Sequence, residues 1–207
     1  TFGENFEFWR SAGLSGGRLG RDYNYWWPSF RHWELFKDDI RRDLRILNSL
    51  GIEWFRIHDY VVPDYRQDYL QTPEGAWMFE YLKFMAQTAR ECGLGILHDF
   101  HISPGDAAFV ARNLGDVIKF YEIDNEVLLI PGAKTEYFDY WREVRERIRQ
   151  ERPGAPVFVT GAAAQPFALH QEFDRRGLTF DAIGQHSYVD RREAPAHFRD
   201  DAVSLGG

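Results

Sequence analysis

Two periods of apolar and polar residues take turns along this chain. From Trp33 to Leu50 the apolar residues Phe36, Ile40, Leu44 and Leu47 recur every three or four positions, with Lys37, Asp38, Arg41, Arg42 and Arg45 between them. That spacing draws one apolar stripe along a helix and leaves the opposite face wet. Gly51 suits the stop, because helices commonly end on a glycine in the left-handed conformation. The stripe returns in Trp77, Tyr81, Leu82, Met85 and Ala89 of a helix from about Pro73 to Cys92, closed by Gly93. It returns again in Phe138, Trp141, Val144 and Ile148 of a helix from Thr135, a suitable N-cap, to Glu151. A shorter helix spans Gln165 to Arg176 and stops at Gly177, and Pro104 opens a brief one.

Short runs of β-branched and aromatic residues stand between these helices. Thr1 to Trp9 alternates aromatic and polar residues, whereas Ile52–Ile57, Leu94–Leu97, Val117–Ile123, Val157–Thr160 and Phe180–Gln185 are more uniformly apolar. Runs of this length and composition, separated by helices, predict buried strands of a parallel sheet. The unit βα repeats six times with no break in composition, so residues 1–207 read as one domain. Doubly wound sheets and barrels both satisfy this alternation. No Gly-x-Gly-x-x-Gly or phosphate-binding loop accompanies a strand, which favours the barrel. The expected fold class is therefore α/β, a parallel barrel with about six of its eight βα units, strands seven and eight lacking.

The strands stop on polar residues. The second runs into Arg56, His58 and Asp59, the third into His98, Asp99 and His101, the fourth into Asp124, Asn125 and Glu126, and the sixth into His186, Ser187 and Tyr188. Parallel barrels hold their chemistry at the carboxyl ends of their strands, so these groups are the candidate site.

Composition narrows what such a site serves. A net charge of −7 disfavours a nucleic-acid backbone as partner, and no apolar run approaches the roughly 20 residues of a membrane-spanning helix. The aromatic share is 16%, high enough that rings are available for stacking on sugar C–H faces as well as for the core. Trp26 and Trp27, in the aromatic loop from Asp22 to Trp33, either line such a subsite or lid the core. The single cysteine, Cys92, excludes an internal disulfide and reads as a buried structural thiol.

Tyr121-Glu122-Ile123-Asp124-Asn125-Glu126 resembles the fourth strand of the clan A glycoside hydrolases, (β/α)8 barrels that cleave β-glycosidic bonds with retention. Two positions depart from the clan's commonest form: Asp124 stands where an aromatic or small residue is usual, and Val127 where a proline is frequent. The resemblance extends to Arg56 on strand two, His98 on strand three and His186-Ser187-Tyr188 on strand six. It implies that Glu126 is the general acid/base and that Asn125 holds the sugar 2-hydroxyl. It further implies that Arg56 lies beside the nucleophile, that His98 and His186 contact sugar, and that Tyr188 hydrogen-bonds the nucleophile. Carbohydrate is then the substrate, and no cofactor is expected.

Retention requires a second carboxylate roughly 5 to 5.5 Å from the acid/base. In the clan it is a glutamate ending strand seven, and Glu193, in a hydrophilic stretch, follows no strand. The nucleophile is thus expected beyond the 207 residues, with the chain by itself inactive. Open edges at strands one and six lead to an expectation of self-association or of a covering partner. Were the nucleophile within the chain, Asp59, Asp99 and Asp190 are the candidates.

Each residue also has a plainer role open to it. Arg56 can pair with a carboxylate of a neighbouring strand, His98 and His186 can be satisfied core histidines, and Tyr188 can pack. Two other functions compete: a carbohydrate-binding barrel without catalysis, and a metal-dependent barrel using His58, His98, Asp99 and His101.

Overall fold

The computed structural model describes residues 3–6, 33–61, 64–124, 135–162 and 166–186. Within them the strands are β1 (Gly3–Phe6), β2 (Trp54–Val61), β3 (Gly95–His101), β4 (Ile118–Ile123), β5 (Val157–Ala162) and β6 (Ala182–His186). The helices are α1 (Lys37–Ser49), entered through a 3-10 turn at Trp33–Phe36, α2 (Ala76–Glu91), α3 (Pro104–Leu114), α4 (Thr135–Glu151) and α5 (Pro166–Arg175). All six strands pair in parallel and in chain order, β1-β2-β3-β4-β5-β6. A doubly wound sheet reverses its strand order at a switch point, and this one never does. Stepping always in one direction is the winding of a (β/α) barrel. The fold is a partial parallel α/β barrel, and among the described residues its sheet ends at β1 on one side and β6 on the other.

Strand register sorts the side chains onto two faces. Parallel neighbours in register point the same way, and successive residues point oppositely. Ile57, His98, Tyr121 and Val157 form one row. Together with Phe55, Ile96, Phe100, Ile123 and Val159 this face meets the helices, whose Ile40, Leu44, Met85, Val110, Phe138, Trp141 and Phe173 are fully or almost fully buried against it. Arg56 and Leu97 begin the opposite face, followed by Asp99 and Glu122. Leu97 is buried yet stands outside the helix-facing cluster, as an inward residue of a barrel should.

Four strands run past the ends expected from the sequence: β2 reaches Val61 rather than Ile57, β3 His101 rather than Leu97, β5 Ala162 rather than Thr160 and β6 His186 rather than Gln185. Polar residues after an apolar run do not stop a strand that lines a barrel interior, since it carries them inward without leaving the ladder. The helices match their stripes closely. Gly51 and Gly93, beyond α1 and α2, adopt φ of +80° and +70°, the left-handed conformation that ends a helix.

The loop between β2 and α2 is fastened from outside. Asp106, in the first turn of α3, is buried and accepts hydrogen bonds from the backbone N–H of Tyr69 at 2.6 Å and Leu70 at 3.0 Å. Ser103 caps the same helix by accepting from the Asp106 N–H at 2.9 Å, and its hydroxyl donates to Asp68 at 2.6 Å. Burial, with Asp68 nearby, raises the Asp106 pKa, while the two backbone donors pull it down. Asp106→Ala leaves the buried Leu70 N–H, at about 1–3 kcal/mol, and the part-buried Tyr69 N–H, at less, without an acceptor. We expect a loss of about 2–4 kcal/mol in urea unfolding, with Asp106→Asn, which keeps an acceptor, losing less than half as much.

Candidate functional site at the carboxyl ends of the strands

Two layers of polar side chains lie on the inward face of β2, β3 and β4. The lower layer centres on Arg56. Its Nε donates to Glu122 Oε2 at 2.7 Å, while Nη2 donates to Glu122 Oε1 at 3.0 Å and to Asp99 Oδ2 at 2.7 Å. Only Arg presents a planar fork that can grip one carboxylate with two parallel bonds and reach another. All three groups are buried, at 8%, 1% and 1% relative exposure, so the ions interact with little screening from water. One cation serves two carboxylates. Burial and the neighbouring Asp99 charge therefore raise the Glu122 pKa, against Arg56 and the Thr160 hydroxyl, which hold it down. Gly184 pairs with Thr160 across β5 and β6, and a Cβ there would stand 2.8 Å from Thr160 Oγ1. Glycine at that position leaves the hydroxyl its room.

The upper layer sits at the rim. Asp124, the residue after β4, is held by the imidazole of His101, the last residue of β3. A carboxylate only accepts, so His101 Nδ1 carries the proton in this bond. The Tyr65 ring meets His101 edge-on at 4.3 Å, and Tyr140 of α4 lies 5.3 Å away on a tilted plane. Tyr140 donates to the carbonyl of Ile102 at 2.8 Å, and burial beside Asp124 keeps it and Tyr137 protonated far above the usual range. Asp124 has φ of +66°, alone among the described non-glycine residues in taking a positive value.

The residues singled out from sequence fare differently. Arg56 occupies the barrel interior, where it pairs with carboxylates of two neighbouring strands. His98 is buried on the helix-facing side, 4.9 Å from the Phe100 ring, and is not brought together with Arg56. The reason is parity: His98 sits between Leu97 and Asp99, which both face inward. His186 ends β6, its backbone paired with Ala162. Asn125, Glu126 and Tyr188 lie outside the described residues, as do Trp26 and Trp27.

Of the grouping His58, His98, Asp99 and His101, the His58 side chain lies outside the described residues and the other three are not brought together, for the same reason of parity. His98 faces away from Asp99 and His101, Asp99 is gripped by Arg56, and His101 by Asp124. Among the described residues no three His, Cys, Asp or Glu side chains are placed to share an ion. Cys92 is half-buried at the C-cap of α2, its thiol pKa raised by desolvation.

Sequence reasoning overlooked Glu122 and the tyrosines. Glu122 was legible as one of the alternate positions Phe120, Glu122 and Asp124. Tyr65, Tyr137 and Tyr140 carried no signal, because loops and helix starts acquire neighbours only in three dimensions. At the amino end of the barrel lies a cavity of about 430 Å³ lined by Asp116, Lys119, Glu151 and Arg152 among others. There Asp116 pairs with Arg90 and Glu151 with Arg112, and in barrels that end serves stability.

The fold is similar to that of the GH53 catalytic domain of Ignisphaera aggregans, with a TM-score of 0.50 and 17% identity over 70% of this chain and 51% of that one. It is similar also to an FMN-binding β-glucuronidase from Faecalibacterium prausnitzii L2-6, with a TM-score of 0.50 and 16% identity over 80% and 25%. The chain thus spans about half of the first and a quarter of the second, and at such identities the likeness is one of fold. No protein-family model matches the sequence. No curated protein matches it either.

The lower layer generates two expectations. Arg56→Ala strands two buried carboxylates and is expected to cost about 3–5 kcal/mol. The second concerns pH. A native pKa above the unfolded value of about 4.3 means that the folded state binds the proton more readily. Stability therefore falls as pH rises through the window between the two values and is fully recovered below it. Glu122→Gln removes that slope. The difference between wild-type and Glu122→Gln urea midpoints, followed from pH 4 to 8, should vary with pH; a constant difference would assign the proton elsewhere.

Proposed function

We propose that the chain is most of a retaining β-glycoside hydrolase, with Glu126 as general acid/base. One observation carries the reading. The inward face of three adjacent strands rises from Arg56, Asp99 and Glu122 to His101 and Asp124 at the carboxyl rim, and the chain continues there directly into Asn125 and Glu126. The strand order adds support, since a singly wound parallel sheet is the scaffold on which such chemistry sits at that end.

On this reading Glu126 protonates the departing glycosidic oxygen while a second carboxylate attacks the anomeric carbon from the opposite face. Glu126 then removes a proton from the water that releases the sugar. An acid working near neutral pH needs its pKa raised by burial or by a nearby negative charge, and Asp124 is two residues away in sequence. Asn125 binds the 2-hydroxyl, and His186 and Tyr188 reach the same cleft from strand six. Arg56, already committed to Glu122 and Asp99, supports the floor of the site. His98, on the face of β3 opposite to Asp99, is given no sugar contact in this reading. The reading calls for a second carboxylate and for cover of the sheet edges that β1 and β6 form among the described residues, from further polypeptide or a partner.

The test is made in a polypeptide that supplies strands seven and eight. Glu126→Ala should cut hydrolysis of poorly departing β-glycosides by about 10²-fold or more, with partial recovery by azide on activated aryl glycosides. Unchanged turnover removes the assignment. Sugar binding without turnover in the unsubstituted protein would leave a carbohydrate-binding barrel instead.

A further inference from the structure

The end of β4 carries the one positive φ among the described non-glycine residues. Asp124 donates its N–H to the Phe100 carbonyl at 3.0 Å, closing the β3–β4 ladder. It then turns to φ +66°, a conformation that costs an L-residue roughly 1–2 kcal/mol and that Asp tolerates better than most. A residue held there needs surroundings that over-determine it. They come from three directions. Tyr137 approaches the Ile123 carbonyl with its hydroxyl at 3.4 Å, His101 grips the Asp124 carboxylate, and Tyr65 and Tyr140 wall the imidazole. Tyr65 and Tyr140 also meet each other edge-on at 5.0 Å.

The turn at Asp124 sets the direction in which the chain leaves the strand, and Asn125 and Glu126 are the next two residues. We propose that His101 is a positioning residue, whose bond to Asp124 locks this left-handed turn and thereby aims Asn125 and Glu126. The catalytic consequence rests on the assignment of Glu126 as acid/base; the locking of the turn does not. Neither ring nitrogen has to touch substrate for this role. The Nδ1 proton is used on Asp124, and the rings of Tyr65 and Tyr140 fix the plane of the imidazole.

Two variants separate the possibilities. His101→Leu removes the donor, and His101→Asn keeps an N–H close to the position of Nδ1. The first readout needs no activity: backbone carbon and amide chemical shifts of residues 124–126, followed by NMR. His101→Leu should move Asp124 toward the shifts of negative-φ backbone and change those of Asn125 and Glu126 with it, while β2 and β5 stay in place. His101→Asn should restore them. Shifts at 124–126 that ignore His101→Leu overturn the proposal.

The second readout is turnover in the protein that supplies strands seven and eight. A misplacement of about 1 Å costs on the order of a hundredfold. His101→Leu should therefore lower kcat by about that factor with KM within about twofold, His101→Asn should recover most of it, and the pH profile should keep its shape. Loss of the alkaline or acidic limb with His101→Leu would mean that the imidazole transfers protons itself, and that also overturns a positioning role. If the unsubstituted protein shows no turnover that depends on Glu126, the functional reading falls, and the chemical shifts alone decide whether His101 locks the turn.

Discussion

One guanidinium ties three strands together at mid-height. Arg56 on β2 reaches across to Asp99 on β3 and Glu122 on β4, and all three are shut away from water. Taking such ions out of solvent is costly, and the cost is recovered only while every partner is in place. The cluster therefore makes register exacting: a slip of one residue would turn Asp99 or Glu122 into the helix-facing layer, among Phe100, Tyr121 and Ile123. An apolar trio would hold the sheet as well or better, but would discriminate less sharply between registers. What the ions contribute here is a fixed alignment of β2, β3 and β4.

The rim inherits that alignment. With Asp99 level with Glu122, His101 comes level with the residue after β4, and its imidazole falls within reach of Asp124. Outside the sheet, Asp106 and Ser103 pin the loop that leads from β2, and with it the stretch bearing Tyr65. α4 delivers Tyr137 and Tyr140 from the other side. The carboxyl end is thus stiffened by three separate devices: a buried ion cluster, a helix-start clip and an aromatic wall. On the proposed reading such stiffness has a use, since catalytic groups work only when held to within fractions of an ångström.

The amino end has a different character. Its charges form exposed pairs, such as Arg90 with Asp116 and Arg112 with Glu151, which salt and water weaken. They orient neighbouring helices and strand starts without demanding a register. The contrast between an exposed, forgiving end and a buried, exacting one follows the division in parallel barrels between a stability face and a face that does chemistry.

Some of this was written plainly along the chain. The helical stripes of Ile40 and Leu44, or of Phe138, Trp141, Val144 and Ile148, required only a 3.6-residue period and hydrophobic burial, both local properties. The alternation of strands with helices then left few folds open, and polar residues after four of the apolar runs drew attention to the carboxyl end of the sheet. Faces were another matter. A run such as Leu97-His98-Asp99 is nearly all buried, so its hydrophobicity does not tell which side chains look inward. Only pairing with β2 and β4 decided that Asp99 joins Arg56 while His98 lies beside Phe100 under the helices. In the same way Asp124 read as an oddity in a motif until His101, 23 residues earlier, was found to hold it. Periodicity and composition are sums over neighbours in sequence; which carboxylate a guanidinium grips, and which backbone turn an imidazole locks, depends on distances that exist only once the strands lie side by side.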